Sequence, residues 1–497
     1  MLGLFTDVIS IRRKVFAEVA SFAFEDRPLS DLPKSLYNVI PGEEATYRGD
    51  IFKERAIVGE RFRLAMGLDV RSAGVYGPIT DGVEEVDVDV RIYEAPLINV
   101  IPFACEACPT KTYEVTDQCR RCIGHPCQTT CPVNAVTIDK KKAHIDQEKC
   151  IKCGKCKDVC PYGVIIMYDR PCAVACGVNA IGSDELGRAK IDHDKCVSCG
   201  ECMQHCPFSA IADKSQIYQL AKALKTSDNL YAIIAPAFVG QFGPMSRPAQ
   251  VFEAIKRLGF KNVLEVGIGA DIGTIHEAQE FLDEVPNKVP FMGTSCCPSW
   301  YSMVKKMFPD QARYISDSAT PMIATAAFIK KEHPDAKVVF IGPCVAKKLE
   351  ALEDNTKDYV DFVITFEELF GLFIAKGIEP SEIETEECID QASSIGRGFA
   401  SSGGVAHAVS KVASQIDPRA VVKYEVANGL HECVKLMRLA KAGKKDGMLL
   451  EGMGCTGGCI GGPGTVISVA QAQKALKEFQ NEASAALSTD NQYIMNK

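Results

Sequence analysis

The chain has 497 residues, 46% hydrophobic and 24% charged, with a formal net charge of −8. That length implies two to four domains, and the composition is that of a soluble globular protein. The excess of acid argues against nucleic acid as a main partner, and no apolar run of about 18 residues exists to span a membrane.

Phe5 to Phe24 and Ile51 to Met66 space charges around apolar positions and predict helices, separated by breakers at Pro28, Pro33 and Pro41-Gly42. Arg12-Arg13 ahead of an apolar run has the outline of a twin-arginine export signal, but Glu18 interrupts the run and no small-residue cleavage pattern follows. An amphipathic helix is the better reading, and with it a cytoplasmic location. From Val86 to Arg91 the alternation is strand-like. Residues 1–95 carry no catalytic motif and read as a small N-terminal α/β cap.

Sixteen of the 23 cysteines fall between Cys105 and Cys206. Their repeated Cys-x2-Cys-x2-Cys-x3-Cys-Pro spacing favours cubane iron–sulfur coordination over a secreted disulfide framework, whose partners need no such period. One copy of the repeat holds Cys127, Cys131, Cys150, Cys153, Cys156 and Cys160; the other holds Cys172, Cys176, Cys196, Cys199, Cys202 and Cys206. Each resembles a bacterial two-cluster ferredoxin, in which the fourth cysteine of a run serves the other cluster. On that rule Cys150, Cys153 and Cys156 join Cys131, while Cys119, Cys122 and Cys127 join Cys160. Cys196, Cys199 and Cys202 join Cys176. Cys172 and Cys206 then lack partners, and Cys105-x2-Cys108 is the unassigned pair that completes a fourth set if the chain folds back. A zinc site or free thiols compete for that last pair. Residues 96–215 are expected to be tandem ferredoxin-like α+β domains serving as an electron wire. Lys140, Lys149, Lys152, Lys155 and Lys157 crowd the first copy. They suit docking of an acidic ferredoxin, or equally a solvated face balanced by Asp139, Asp146, Glu148 and Asp158.

From residue 216 to 482 short apolar strands alternate with helices. Strands are expected at Tyr231–Ile234, Asn262–Val266, Val338–Gly342, Val360–Thr365 and Met448–Leu450. Helices are expected at Pro248–Leu258, Thr274–Glu284, Met322–Lys331, Phe366–Ala375, Gly429–Ala442 and Ser468–Glu482. This is the pattern of an α/β domain with mostly parallel sheets, followed by a polar tail over 483–497 that frays from Ser488. Three segments, Thr294 to Trp300, Gly342 to Lys348 and Glu451 to Pro463, hold Cys296, Cys297, Cys344, Cys455 and Cys459. A cubane takes four thiolates, so one of these five thiols is surplus and free to carry a proton.

These three segments resemble the active-site motifs of [FeFe]-hydrogenases, and with the ferredoxin repeats the similarity covers roughly four-fifths of the chain. The resemblance implies that Cys297, Cys344, Cys455 and Cys459 hold a [4Fe-4S] cubane. It further implies that Cys459 bridges to a diiron unit carrying CO, cyanide and azadithiolate, the whole forming an H-cluster fed by three to four further [4Fe-4S] clusters. Cys296 becomes the thiol that passes protons, Lys347 the donor to a cyanide ligand, and Met453 the lining beside a bridging CO. Glu277 and Glu280, on one helical face, match the relay carboxylates, and Ser316 the relay serine. The loop before Thr294 is a residue shorter than in familiar members, which makes His276 a rival for Glu277. Gly342, Ser299, Pro463, Ala237 and the Asp283-Glu284 pair depart from the usual pattern, as in the ferredoxin-repeat branch called group B. Cys388 and Cys433 lie outside every motif and read as ordinary buried thiols.

The implied activity is reversible formation of H2 from protons and electrons, with ferredoxin as electron partner and maturation proteins supplying the diiron unit. Two other classes compete. Non-catalytic relatives resembling nuclear prelamin A recognition factor-like proteins serve iron–sulfur assembly, but need neither Cys296 nor Lys347. A sensory hydrogenase would carry a further signalling domain, and none follows the catalytic motifs.

Overall fold

The computed structural model describes residues 6–72, 74 and 76–495; Phe5, at the start of the first expected helix, lies outside them. That helix runs Asp7–Phe24 and buries Val15, Phe16, Val19, Ala20, Phe22 and Ala23. It packs on the helices Phe366–Lys376 and Ile217–Thr226, so it shares the main hydrophobic core with the second half of the chain. The crossing is close because of Gly371, where a Cβ would meet Phe16 Cβ at 2.5 Å. The short helix Leu32–Val39 follows, unforeseen, and the second expected helix is Ile51–Ala65, started by Asp50, whose carboxylate accepts the amides of Phe52 and Lys53.

Residues 83–91 are turns and bends, which corrects the expected strand. The alternating acids there serve side chains instead of a sheet ladder. Asp87 accepts from the Tyr218 hydroxyl at 2.7 Å and pairs with Lys222, and Asp89 accepts from the Thr226 hydroxyl at 2.8 Å. Among the described residues, the segment before Ile98 is therefore helical and irregular, without strands.

The cysteine-rich region is built from antiparallel pairs. Val136–Ile138 pairs with Ala143–Ile145 inside the first copy, and Ile181–Ser183 with Ala189–Ile191 inside the second. Thr112–Val115 and Ile165–Tyr168 close the first copy, while Ile98–Val100 and Ile211–Asp213 close the second. The first copy is thus inserted within the second, between Cys108 and Cys172. This nesting explains why Cys105 and Cys108 stand so far in sequence from their expected partners.

Four strands then form a parallel sheet in the order Asn262–Glu265, Leu230–Ile234, Lys337–Gly342 and Phe362–Thr365. Three more, Met292–Gly293, Met448–Met453 and Lys423–Asn428, form a second parallel sheet. Both are covered by helices, as buried parallel sheets must be. The helix expected from Thr274 begins earlier, at Gly267. Glycine is a poor helix former, but a Cβ at Gly269 would lie 2.2 Å from the Pro321 carbonyl, so close packing selects it.

Long-range polar contacts hold these layers together. Lys348, fully buried, donates to Asp213 Oδ2 (2.7 Å), the Lys214 carbonyl (2.9 Å) and Glu368 Oε1 (2.8 Å), tying the ferredoxin-like region to the parallel-sheet region. The expected frayed tail is also corrected. Ser488 and Asn491 are buried and donate to the two oxygens of Asp271 at 2.7 and 2.8 Å.

Candidate metal centre

Each Cys-x2-Cys loop of the nested region makes the same turn. The residue before its second cysteine has positive φ in all four: Ala107 (46°), Arg121 (48°), Lys152 (56°) and Ser198 (53°). Left-handed backbone is uncommon for such residues, and repeating it four times points to one shared purpose. The residue three places after Cys131, Cys160, Cys176 and Cys206 is likewise left-handed: Asn134 (51°), Gly163 (62°), Asn179 (53°) and Ser209 (51°). These turns aim amides at sulfur: Ala135, Ala180 and Ala210 donate to Cys131, Cys176 and Cys206 Sγ at 3.2, 3.2 and 3.3 Å. Amide donation to sulfur is how iron–sulfur sites tune potential.

The thiols gather in sets. Cys172 senses Cys206, Cys105 and Cys108, and burial, then these thiols, pushes it up to about 12. Arg170 locks this set by donating to the Cys108 carbonyl (2.9 Å) and the Gly182 and Gly187 carbonyls (both 2.6 Å). Cys202 neighbours Cys199, Cys196 and Cys176. Cys156 neighbours Cys150 and Cys153, Cys127 neighbours Cys122 and Cys160, and Cys119 and Cys131 share their apolar cluster.

The remaining thiols line one cavity. Gly293, Gly342 and Met453 end strands from both parallel sheets, and the loops that follow bring Cys296, Cys297, Cys344, Cys455 and Cys459 together with Lys347 and Met453. Converging loops at strand C-termini are the usual ligand position in such sheets. The cavity encloses about 80 Å³, several times the room one water molecule needs. Glycines make the walls thin: a Cβ at Gly454 would stand 2.9 Å from Ser299 Cβ, and one at Gly452 2.0 Å from the buried Trp300 ring.

Within the cavity the adjacent cysteines have different first neighbours. Cys297 accepts the Gly454 amide at 3.4 Å and neighbours Cys344, Cys455 and Cys459. Burial, then neighbouring thiols, pushes Cys344 and Cys459 up to about 12. Cys296 is driven well above the ordinary thiol range, first by burial and then by Glu277. It is a proton-bearing thiol beside a carboxyl group.

Glu277 accepts from the Ser295 amide (2.8 Å) and hydroxyl (2.9 Å) through Oε1, whereas its buried Oε2 makes no hydrogen bond. Burial raises this carboxyl to about 7, against the opposing Ser295 bonds. The Ser316 hydroxyl lies near Glu277 and donates to Glu280 Oε2 at 2.5 Å; Glu280 is half-buried and raised mainly by burial. His276, the rival, points the other way, with Nδ1 4.0 Å from Glu280 Oε2 and its side chain 57% exposed. Lys347 pairs with Glu350 at 2.7 Å and donates to Thr320 Oγ1 at 2.9 Å. Burial lowers Lys347, but Glu350 outweighs it and keeps the ammonium charged.

Glu350, Thr320, Ser295 and Glu451 were not foreseen. Glu350 had a signal, since it stands three residues after Lys347 on the helix Ala346–Glu350. Glu451, raised to about 7 by burial, accepts the Gly403 and Ala406 amides and had none. Glu201 was also missed; it lies beside both Cys199 and Cys455.

Whether iron clusters fit can be asked of the spacing. Among the described residues, one group of three His, Cys, Asp or Glu ligand atoms lies within 4.8 Å of one another, and it is His276, Glu280 and Asp317. No thiol set is that tight, whereas sulfurs bound to one zinc ion at about 2.3 Å would sit about 3.8 Å apart. Four-thiol sets with amides donated to Cys131, Cys176 and Cys206 Sγ fit iron–sulfur coordination.

Fold and thiols together define an iron–sulfur protein with ferredoxin-like units joined to a thiol-lined α/β centre. The family described as the iron-only hydrogenase large subunit, C-terminal domain, matches residues 228–463, and 4Fe-4S binding domains match 142–165 and 189–212. Over residues 228–463 the chain is therefore similar to iron-only hydrogenases. Iron hydrogenase 1 of Clostridium pasteurianum is 28% identical over 65% of this chain and 65% of its own length. The HndD subunit of an NADP-reducing hydrogenase from Solidesulfovibrio fructosivorans is 27% identical over 64% of this chain and 63% of its own. The cytosolic Fe-S cluster assembly factor NAR1 of Yarrowia lipolytica is 33% identical over 24% and 27%. The chain spans less than two thirds of the length of these curated relatives. A solved [FeFe]-hydrogenase, HydA1 of Chlamydomonas reinhardtii, is 24% identical over 54% of this chain and 88% of its own, with a TM-score of 0.45. No helix among the described residues is long and apolar enough to cross a membrane.

Proposed function

We propose that this protein is an [FeFe]-hydrogenase interconverting 2 H+ + 2 e− and H2. The observation that carries the reading is the fifth thiol: Cys296 lines the same cavity as Cys297, Cys344, Cys455 and Cys459 and sits beside the buried Glu277 carboxyl. Cys297, Cys344, Cys455 and Cys459 would hold the [4Fe-4S] part of an H-cluster, and Lys347 and Met453 face the space left for a diiron unit. That group, when bound, supplies the hydrogen chemistry. The chain's own residues move protons and shape the pocket. Cys296 holds a proton at Sγ, Glu277 exchanges one near neutral pH, the Ser316 hydroxyl links it to Glu280, and Glu280 reaches the half-exposed edge. A carboxyl titrating near the operating pH suits such transfer. Lys347, a buried ammonium held by Glu350, offers a strong donor to an anionic ligand.

Electrons would enter through residues 96–215 by way of four [4Fe-4S] clusters on the thiol sets above. Cys199 and Glu201 beside Cys455 mark the last step into the 216–482 unit. Cys153 is exposed among Lys149, Lys152, Lys155 and Lys157, which suits an acidic ferredoxin as partner. The helical segment 1–95 would brace both units in a cytoplasmic enzyme, and other proteins would deliver the diiron unit.

The similarity to NAR1 favours a second reading, a non-catalytic iron–sulfur protein. Infrared spectroscopy of protein matured anaerobically, together with an H2 assay, separates the two. CO and cyanide bands with H2 formation are expected; absent bands and no H2 in protein with full cubane iron would overturn the enzyme reading.

A further inference from the structure

The outer end of the carboxylate chain has a second chemistry. His276 Nδ1 stands 4.0 Å from Glu280 Oε2, and these atoms and an Asp317 carboxylate oxygen lie within 4.8 Å of one another. They come from two separate elements, the helix Gly267–Glu284 and the loop before Pro321. The Glu280 carboxylate is already oriented, since Oε2 accepts the Ser316 hydroxyl (2.5 Å) and Oε1 the Asp317 amide (3.3 Å). His276 is exposed and free to swing. Ligand atoms about 2.0–2.2 Å from one zinc ion sit about 3.4 Å apart, so a small rotation of the imidazole closes the set. One imidazole and two carboxylates suit a borderline divalent ion such as Zn2+ or Ni2+. Behind this group lies Glu277, buried, with Oε2 unpartnered beside Ser316.

We propose that His276, Glu280 and Asp317 form a divalent transition-metal site at the mouth of the proton chain, and that a metal ion held there closes it. The closing role rests on the hydrogenase reading; the binding site does not. A bound cation takes both the Glu280 oxygen that accepts from Ser316 and the approach of water from outside. Glu280 then has no basic oxygen free to accept a proton. The site would make hydrogen turnover sensitive to trace zinc, with no metal exchange at the iron centre.

The test uses cluster-loaded protein carrying Cys388→Ser, which removes a thiol that lies outside every cluster set and is exposed where burial was expected. Ni2+ titrated into it calorimetrically should show one saturable site, weakened at least about tenfold by His276→Ala and again by Asp317→Asn. Equal binding in all three proteins would overturn the site. Zn2+ should slow H2 formation from a chemical reductant over the same concentration range, and His276→Ala should shift that range upward by the same factor. Saturating binding with unchanged H2 formation would overturn the closing role. If the metal-free protein forms no H2 at all, the failure lies with the hydrogenase reading, and the calorimetry still decides the site.

Discussion

Replacing Lys348 by methionine tests how the two halves of the chain are joined. The ammonium spends its three donors on Asp213, the Lys214 carbonyl and Glu368, all within 2.9 Å and all buried. Methionine keeps most of the volume, so the loss is mainly electrostatic. Two buried carboxylates are left facing one another without a cation, and a carbonyl loses its donor. Removing one partner of a buried ion pair typically costs about 3–5 kcal/mol. Burial lowers the Lys348 pKa, but Asp213 and Glu368 outweigh it and raise it above its usual range. Its contribution is therefore whole below the unfolded lysine value near 10.4 and fades only as pH climbs through the higher folded value. The deficit should be the same at pH 7 and pH 9. A multidomain metalloprotein does not melt in two states, so the assay is native hydrogen exchange. Amides of Ile211–Asp213 and of the Phe366–Lys376 helix should exchange about 10²–10⁴ times faster, the equivalent of that energy. A change below about fivefold at both places would refute the argument.

Cys296→Ala should keep all iron and abolish H2 formation, whereas Cys297→Ala should lose about four irons with the cubane; equal iron loss in both would reverse their assignment. Glu277→Gln should cut turnover about 10²–10⁴-fold at unchanged iron content, and wild-type activity would remove Glu277 from the proton route. The same variant has a stability readout. Because burial raises the Glu277 carboxyl to about 7, the folded state binds more protons than the unfolded one between about pH 4.5 and 7, so stability falls as pH rises through that window. Glu277→Gln should flatten the decline by up to about 3 kcal/mol, and an undiminished slope would place the raised group elsewhere. Cys108→Ala should lower iron by about four per chain without affecting the Cys297 set; unchanged iron would deny Cys105 and Cys108 a cluster.

Features set by local spacing were readable in advance. The Cys-x2-Cys period announced 4Fe-4S binding domains, and runs such as Leu230–Ile234, buried at every position, announced themselves as parallel strands. What stayed hidden depended on partners far along the chain. The acids of 83–91 looked like an alternating strand because their partners, Tyr218, Lys222 and Thr226, are more than a hundred residues away. Ser488 and Asn491 looked like a polar tail for the same reason, their acceptor being Asp271. Gly267 and Gly269 argued against a helix on propensity, and packing against Ala392 and Pro321 overrode it. In the proton chain, spacing placed Glu277 and Glu280 on one face. Only the fold turned the first inward and left His276 outside.

The nesting of one ferredoxin-like unit inside the other also sets an order in time. Cys105 and Cys108 leave the ribosome well before Cys172 and Cys206, and the whole first unit is synthesised in between. The inner unit, Cys119 to Cys160, holds every cysteine of its own two proposed sets before the outer one has Cys172, Cys176, Cys196, Cys199, Cys202 and Cys206. The thiol-lined cavity completes last, when Cys459 emerges. In order of synthesis the inserted unit is the first whose cysteines are all present, and the thiol-lined cavity is the last.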